Sequence, residues 1–182
     1  MLEQFDINIF YFINKTCHNK VLDIVVPYFT NLGSGEFIFL IALVMLFLKS
    51  KRVKFSGIAL FAGLTLTYYV VHLLKDLIQR PRPFMVLGDV NTLVTETTFS
   101  FPSNHSATAF MAACILAACF KKYSVLFYIT AILVALSRPY VGVHYPSDIL
   151  VGACIGILIG HILVREGKKL FFHENESKRE NA

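Results

Sequence analysis

The chain contains 182 residues and carries a formal net charge of +5, and 55% of its residues are hydrophobic whereas only 16% are charged. This composition excludes a disordered chain, a coiled coil and a disulfide scaffold, and it argues against an ordinary soluble domain, in which about 25% of residues are charged. It predicts an all-α, polytopic membrane protein. The positive charge does not indicate a nucleic-acid partner, because most basic residues flank apolar segments and are explained by membrane topology.

Residues 1–34 are predicted to form an amphipathic N-terminal segment that lies at the membrane interface. Four of its apolar side chains occupy positions i, i+4, i+7 and i+8, which share one face of a helix: Phe5, Ile9, Phe12 and Ile13. A helix with one apolar face can lie in the plane of the membrane surface. Residues 21–30 form a second apolar stretch that is either interfacial or half-inserted, and residues 31–35 predict a turn.

Five further segments are predicted to span the membrane, since a bilayer core requires about 17–25 apolar residues per helix. Together they form a transmembrane domain over residues 35–165. In chain order, the predicted spans cover residues 35–48, 55–74, 103–120, 123–137 and 146–164. The expected fold is therefore a bundle of about five spanning helices preceded by an interfacial helix.

The basic residues predict how this bundle is oriented. They cluster between the first and second spans, between the third and fourth spans, and after the fifth span. With five spans, all three clusters lie on one side, which the positive-inside rule assigns to the cytoplasm. Residues 166–182 are then a polar cytoplasmic tail. Six basic residues lie on the opposite, outer side and need another explanation: Lys15, Lys20, Lys75, Arg80, Arg82 and Arg138.

Two outer segments are predicted to form one site, because a two-helix hairpin separates them and returns the chain to the same surface. They cover residues 75–103, with Asn104 and His105 just beyond, and residues 138–148. Arginine presents a planar fork of donors that matches phosphate oxygens, and lysine adds a point charge. Several such cations can hold a phosphoryl group and stabilise the charge that develops during its transfer. A single arginine could instead reach lipid head groups, but that does not explain a whole set that opposes the charge distribution elsewhere.

Two histidines and one aspartate complete this set. A neutral imidazole can attack phosphorus and form a phosphohistidine, and a carboxylate can fix its tautomer. His144 and Asp148 are four residues apart, and Pro146 suits the first turn of a helix, so Asp148 can reach back to His144. His105 can donate a proton to the leaving oxygen. It belongs to residues 101–105, which are predicted to form a loop that enters a helix and to aim free N–H groups at an anion.

A metal site is the alternative use of histidine and aspartate. The surrounding cations would repel a divalent ion, and the sequence contains no HExxH motif and no paired carboxylates at this site. The sequence therefore predicts neither a metal ion nor another cofactor.

Three motifs of this set occur in order: Lys75 followed after six residues by Arg82-Pro83, then Pro102-Ser103-Asn104-His105, then Ser137-Arg138 followed by His144 and Asp148. Their order and internal spacing resemble the three-part signature of the type 2 phosphatidic acid phosphatase (PAP2) superfamily, which is related to the vanadium haloperoxidases. The resemblance implies the helical core of that family and metal-independent hydrolysis of a lipid phosphate or diphosphate.

The resemblance also implies a role for each matching residue. His144 would be the nucleophile, held by Asp148, and His105 would protonate the leaving group. Asn104 stands where the family usually has glycine, and asparagine tolerates a left-handed backbone better than most residues. Arg80 lies outside the signature and is expected to be auxiliary, binding a second phosphate. The phosphoryl oxygens would be bound by the side chains or backbone of Lys75, Arg82, Ser103, Asn104 and Arg138.

The expected substrate is the head group of a lipid in the outer leaflet of a bacterial plasma membrane, because the site faces outward at the membrane surface. The small size and the five-span layout resemble the bacterial undecaprenyl-diphosphate phosphatases, which recycle the carrier lipid of cell-wall synthesis. Phosphatidylglycerophosphate, phosphatidate and lipid A phosphatases share the signature and remain alternatives. A non-catalytic phospholipid-binding or transport protein is an alternative of another class, although transporters place charges near the bilayer midplane and here they cluster at span ends.

Overall fold

The computed structural model describes residues 2–180, with side chains described for residues 3–167 and 169. Within residues 2–180 the chain is helical and contains no strand, which confirms the all-α prediction. The helices α1 to α8 are Leu2–Tyr11, Lys20–Phe29, Gly35–Phe47, Lys51–Ile78, Pro83–Val86, Asn104–Cys119, Ser124–Tyr140 and Pro146–Glu180. A short π-helical segment follows α1, and short 3-10 segments follow α2 and precede α7.

Three helical stretches among the described residues are long and apolar enough to cross a membrane: Lys51–Val86, Lys121–Tyr140 and Pro146–Gly167. The stretches Lys20–Gly33 and Gly35–Phe47 pass the same test as a pair, but they are bent by 53° and would make a fourth, broken span. Helix α6 has only 16 residues, or about 24 Å at 1.5 Å per residue, against a bilayer core of about 30 Å. The count of five spans therefore stays a prediction.

Large apolar side chains cover the outer surface of the bundle. Leu77, Val125 and Leu150 are 71%, 72% and 64% exposed. Such a surface suits lipid tails rather than water. Together with the apolar helices, it agrees with the membrane helix bundle that the composition predicts.

Helix α6 lies at the centre of the bundle, where it contacts α3, α4, α7 and α8. Helix α6 packs closely on α8 because glycines of α8 face it. A Cβ atom at Gly156 would lie 2.1 Å from the Ala107 carbonyl oxygen, and a Cβ atom at Gly152 would lie 2.5 Å from the Ser103 carbonyl oxygen. Small residues permit this close approach of helices in membranes. The first turns of α6 and α8 therefore lie side by side, and the Ser103 N–H donates to the Asp148 carbonyl at 3.0 Å.

The end of α4 carries the first basic motif out of the bundle. Gln79 adopts a left-handed conformation with φ of 51°, and its N–H donates to the Lys75 carbonyl, which closes the last turn. Arg80 precedes Pro81, and a residue before proline disfavours helical backbone. The chain therefore leaves the helix soon after Lys75 and directs Arg80 and Arg82 across the end of the bundle.

The N-terminal segment is helical, as predicted, but its packed face differs from the predicted apolar one. The buried side chains are Asp6, Phe10 and Asn14, which are spaced four residues apart. Phe5 and Phe12 of the predicted apolar face are 65% and 59% exposed and turn away from the bundle. Contact of that outer face with the membrane interface stays a prediction.

Two further boundaries differ from the sequence prediction. The predicted turn at residues 31–35 is a 3-10 segment, Thr30–Gly33, followed by Ser34, whose side chain caps α3 by accepting from the Phe37 N–H. Helix α8 continues beyond the predicted end of the last span to Glu180. An ion pair between Glu166 and Lys169, one helical turn apart, supports this extension.

Candidate active site

The site forms at the end of the bundle where α4 and α7 end and where α6 and α8 begin. The two helix beginnings bring the positive ends of two helix dipoles to this place, which favours an anion. The outer segments predicted to converge do so here. These elements contribute Lys75 and Arg82, Ser103 and His105, Arg138, and finally His144 and Asp148.

His144 and Asp148 form a buried pair. Nδ1 of His144 lies 3.4 Å from Oδ2 of Asp148, and the two residues are 2% and 0% exposed. The same carboxylate oxygen accepts from the Tyr145 N–H at 2.9 Å and from the Ser100 hydroxyl. These contacts hold the carboxylate beside Nδ1 and assign the ring proton to that nitrogen. Nε2 then keeps its lone pair, and Nη1 of Arg82 lies 3.3 Å from it.

The surroundings of His144 favour the neutral imidazole. Burial, together with the charges of Arg138 and Arg82, lowers the pKa of His144 to about 3, although Asp148 acts in the opposite direction. At neutral pH the ring is therefore uncharged, with Nε2 available as a nucleophile. This is the protonation state that attack on phosphorus requires.

Two buried arginines flank His144. Arg82 and Arg138 are each 1% exposed. Arg82 donates to the carbonyls of Thr98 and Val143 at 2.6 and 3.0 Å, and Arg138 donates to the Thr30 hydroxyl at 2.9 Å. Within the described part of the chain, the buried Nε of Arg138 has no hydrogen-bond partner. Buried cations require anionic partners, and the planar donors of two adjacent guanidinium groups match the oxygens of a phosphoryl group.

Glu96 lies between these arginines. One carboxylate oxygen accepts from Nη2 of Arg138 at 2.5 Å, and the other lies 3.4 Å from Nη2 of Arg82. Glu96 belongs to the long loop between α5 and α6, and its side chain is only partly exposed. A carboxylate therefore shares the donors that the resemblance assigns to the phosphoryl oxygens.

Lys75 is buried at the same end of the bundle. Its ammonium group donates to the Phe99 carbonyl. A cavity of about 260 Å³ opens beside it and is also lined by Arg82, Thr98 and Met85. The lysine side chain is thus placed to add a point charge next to the arginine pair.

The second motif lies where α6 begins. Ser103 is buried at the N-cap, and its hydroxyl accepts from the Ser106 N–H at 3.4 Å. His105 lies close enough to Arg138 and His144 to interact with them electrostatically. Asn104 faces an adjacent cavity of about 510 Å³ that Tyr68 and other residues of α3, α4 and α6 line. Binding of phosphate by Ser103 and Asn104 stays a prediction.

Arg80 is engaged with carboxylates. Its Nη1 donates to Oδ1 of Asp148 at 2.6 Å, and its Nη2 donates to Oδ2 of Asp6 at 2.8 Å. The guanidinium carbon also lies 3.8 Å from the centre of the Tyr145 ring. The guanidinium group of Arg80, which the sequence predicts to bind a second phosphate, is therefore paired with the carboxylates of Asp148 and Asp6.

Several residues of the site were not identified from the sequence. None of them is a residue that defines the three motifs, so spacing gives no indication of its role. An acidic residue in the outer loop and another in an apolar helix were the available signals. The unidentified residues are Asp6, Thr30, Glu96, Thr98, Ser100 and Ser147.

Comparison with known proteins gives consistent matches. The profile of the PAP2 superfamily matches residues 56–171, which include all three motifs. The undecaprenyl-diphosphatase BcrC of Bacillus subtilis (strain 168) is 30% identical over 152 residues, which are 81% of this chain and 76% of that protein. The crystal structure of Aquifex aeolicus LpxE is 31% identical with a TM-score of 0.74, over 87% of this chain and 94% of that chain. The crystal structure of a transmembrane PAP2-type phosphatidylglycerolphosphate phosphatase from Bacillus subtilis is 27% identical with a TM-score of 0.75, over 92% of this chain and 87% of that chain.

Proposed function

Because the chain belongs to the PAP2 superfamily and is a membrane lipid phosphatase, we propose that it acts through a phosphohistidine intermediate at His144. One observation carries this proposal: the imidazole is buried, its Nδ1 faces Asp148, and its Nε2 lies beside Arg82. This arrangement presents a nucleophile next to cations that can hold the group under attack.

The proposed reaction has two steps. In the first step Nε2 of His144 attacks phosphorus, the bond from phosphorus to the leaving oxygen breaks, and His105 gives that oxygen a proton. Asp148 stabilises the imidazolium that forms. In the second step a water molecule attacks the phosphohistidine, His105 takes a proton from the water, and the bond from nitrogen to phosphorus breaks. Inorganic phosphate and the free enzyme result.

The basic residues would stabilise the charge that gathers on the phosphoryl oxygens. Arg82 and Arg138 present planar donors, and Lys75 adds a third positive charge. These groups are held by other protein atoms before the substrate arrives. Donors that are already oriented cost little reorganisation in the transition state.

The proposed substrate is undecaprenyl diphosphate, which would be converted into undecaprenyl phosphate at the outer face of a bacterial plasma membrane. The similarity to an undecaprenyl-diphosphatase over most of both chains supports this choice, and the distribution of basic residues supports the orientation. Phosphatidylglycerophosphate is a second candidate, because a phosphatase for that kind of lipid has a similar structure. Phosphatidate and lipid A are the remaining candidates.

The test is phosphate release by the purified protein in detergent, with EDTA present and no metal added. Undecaprenyl diphosphate, phosphatidylglycerophosphate, phosphatidate and lipid A are compared. His144→Ala is the inactive variant, and His161→Ala is the matched control because His161 is exposed on α8. We expect release from the diphosphate to be fastest, and we expect it to be lost in His144→Ala alone.

Each part of the proposal can fail separately in this test. Retained activity in His144→Ala would contradict the phosphohistidine. Faster release from one of the monophosphates would replace the proposed substrate. Loss of activity with EDTA that a divalent ion restores would contradict the metal-independent reaction.

A further inference from the structure

We infer that Asp6, on the N-terminal helix, is a positioning residue for the catalytic pair and that it acts through Arg80 and Ser147. The inference rests on the proposed roles of His144 and Asp148. It gives the N-terminal helix a part in the reaction, in addition to any contact with the membrane.

The first path from Asp6 to the pair passes through Arg80. Nη2 of Arg80 donates to Asp6 at 2.8 Å, and its Nη1 donates to Oδ1 of Asp148 at 2.6 Å. A guanidinium group is planar and rigid, so fixing one side of the fork fixes the direction of the other. Asp6 therefore orients the donor that holds Asp148.

The second path passes through the start of α8. Oδ1 of Asp6 accepts from the Ser147 N–H at 2.8 Å, and its other oxygen accepts from the Ser147 hydroxyl. The first N–H groups of a helix have no partner within the helix, and an acidic group satisfies one of them and suits the helix dipole. Asp6 thus supplies from another helix a cap for the turn that carries Asp148.

These contacts matter because they hold the carboxylate oxygen that His144 does not use. Oδ2 of Asp148 faces His144, Tyr145 and Ser100, whereas Oδ1 is held by Arg80. If Arg80 loses its second anchor, Oδ1 is held less firmly and the carboxylate depends on the contacts of Oδ2 alone. Its orientation toward the imidazole, which fixes the tautomer, would then be less well defined.

The rest of the N-terminal segment is anchored to the same end of the bundle. Phe10 is buried, with its ring centre 5.8 Å from that of Tyr145. The Asn14 amide donates to the carbonyls of Pro139 and Tyr140 at 3.2 and 2.9 Å. The helix is therefore held by several contacts, and a change at Asp6 alone can leave it in place.

The variant for the test is Asp6→Asn, which keeps the shape of the side chain and removes its charge. The matched control is Asp89→Asn, because Asp89 also pairs with the N-terminal segment, through Lys15 at 2.8 Å, but is exposed and away from Arg80. We expect Asp6→Asn to lower kcat about tenfold, with KM and the melting temperature close to those of the control. An unchanged kcat would overturn the inference, and so would a loss confined to KM.

A double-mutant cycle tests whether Asp6 acts through Arg80. We expect Asp6→Asn to have a much smaller effect in an Arg80→Gln background than in the wild type, since interacting residues are not additive. Full additivity would overturn the proposed path. If Asp6→Asn does not fold, Arg80→Lys serves instead. An ammonium group lacks the rigid planar fork that links Asp6 to Asp148, so kcat should fall while KM is kept, and an unchanged kcat would overturn the inference.

The test separates this inference from the proposed function. Wild-type protein must release phosphate and His144→Ala must not, or the proposed function fails first. With those two results in place, the Asp6 and Arg80 variants decide the inference alone.

Discussion

Glu96 forms an ion pair with Arg138 inside the site, with 2.5 Å between Oε1 and Nη2. The same carboxylate reaches Arg82. In the proposed reaction a substrate phosphoryl group binds these donors, so it would compete with Glu96 for them. The loop between α5 and α6, which carries Glu96, is thereby linked to binding of the substrate.

Replacing Glu96 by glutamine should tighten the binding of anions, because the amide removes the competing charge from both arginines. We expect inhibition by vanadate, which can adopt the five-coordinate geometry of the transition state, to become about tenfold stronger. Inhibition constants measured with wild type, Glu96→Gln and the control Glu166→Gln check this. Glu166 is exposed and pairs with Lys169, and weaker inhibition of Glu96→Gln would contradict the prediction.

The loss in His105→Ala should depend on the leaving group. An alkyl phosphate needs a proton on its leaving oxygen, whereas an aryl phosphate leaves more readily without one. General acid catalysis contributes about 100-fold or more, and we expect a loss of this size with the alkyl phosphate only. The measurement is kcat with both substrates in wild type and variant, and equal losses would remove His105 as the acid.

The lowered pKa of His144 should make the folded protein less stable in acid. An unfolded histidine has a pKa of about 6.5, and burial lowers that of folded His144 to about 3. Between these values the unfolded state binds more protons, so stability is present above about pH 6.5 and is lost as the pH falls toward 3. Melting temperatures in detergent at about pH 7 and pH 5 should fall less in His144→Gln than in wild type, and equal falls would contradict the assigned pKa.

The close contact between α6 and α8 should not tolerate a larger residue. A Cβ atom at Gly156 would lie 2.1 Å from the Ala107 carbonyl oxygen, and overpacking of this kind costs about 1–3 kcal/mol. Gly156→Ala should therefore lower both the melting temperature and the activity, since it separates Ser103 from Asp148. The control is Gly35→Ala, where a Cβ atom meets no atom within 4 Å, and equal melting temperatures for the two variants would refute the account.

The helical membrane fold, the three motifs and the pairing of His144 with Asp148 could all be predicted from the sequence. These depend on local signals: apolar runs long enough for a bilayer, and a spacing of four residues that one helix start can close. The sequence also predicts that both basic segments lie at one surface, because two predicted spanning helices separate them and return the chain to the same side.

The tertiary structure alone decided which side chains hold the motif residues. Asp6 meets Arg80 across 74 positions of the chain, and Glu96 meets Arg138 across 42. The packed face of the N-terminal segment also differs from its apolar face, since Asp6 binds the first turn of α8 and Asn14 binds the last turn of α7. Such contacts arise from the relative positions of whole helices, and a single polar residue carries no local pattern that encodes its distant partner.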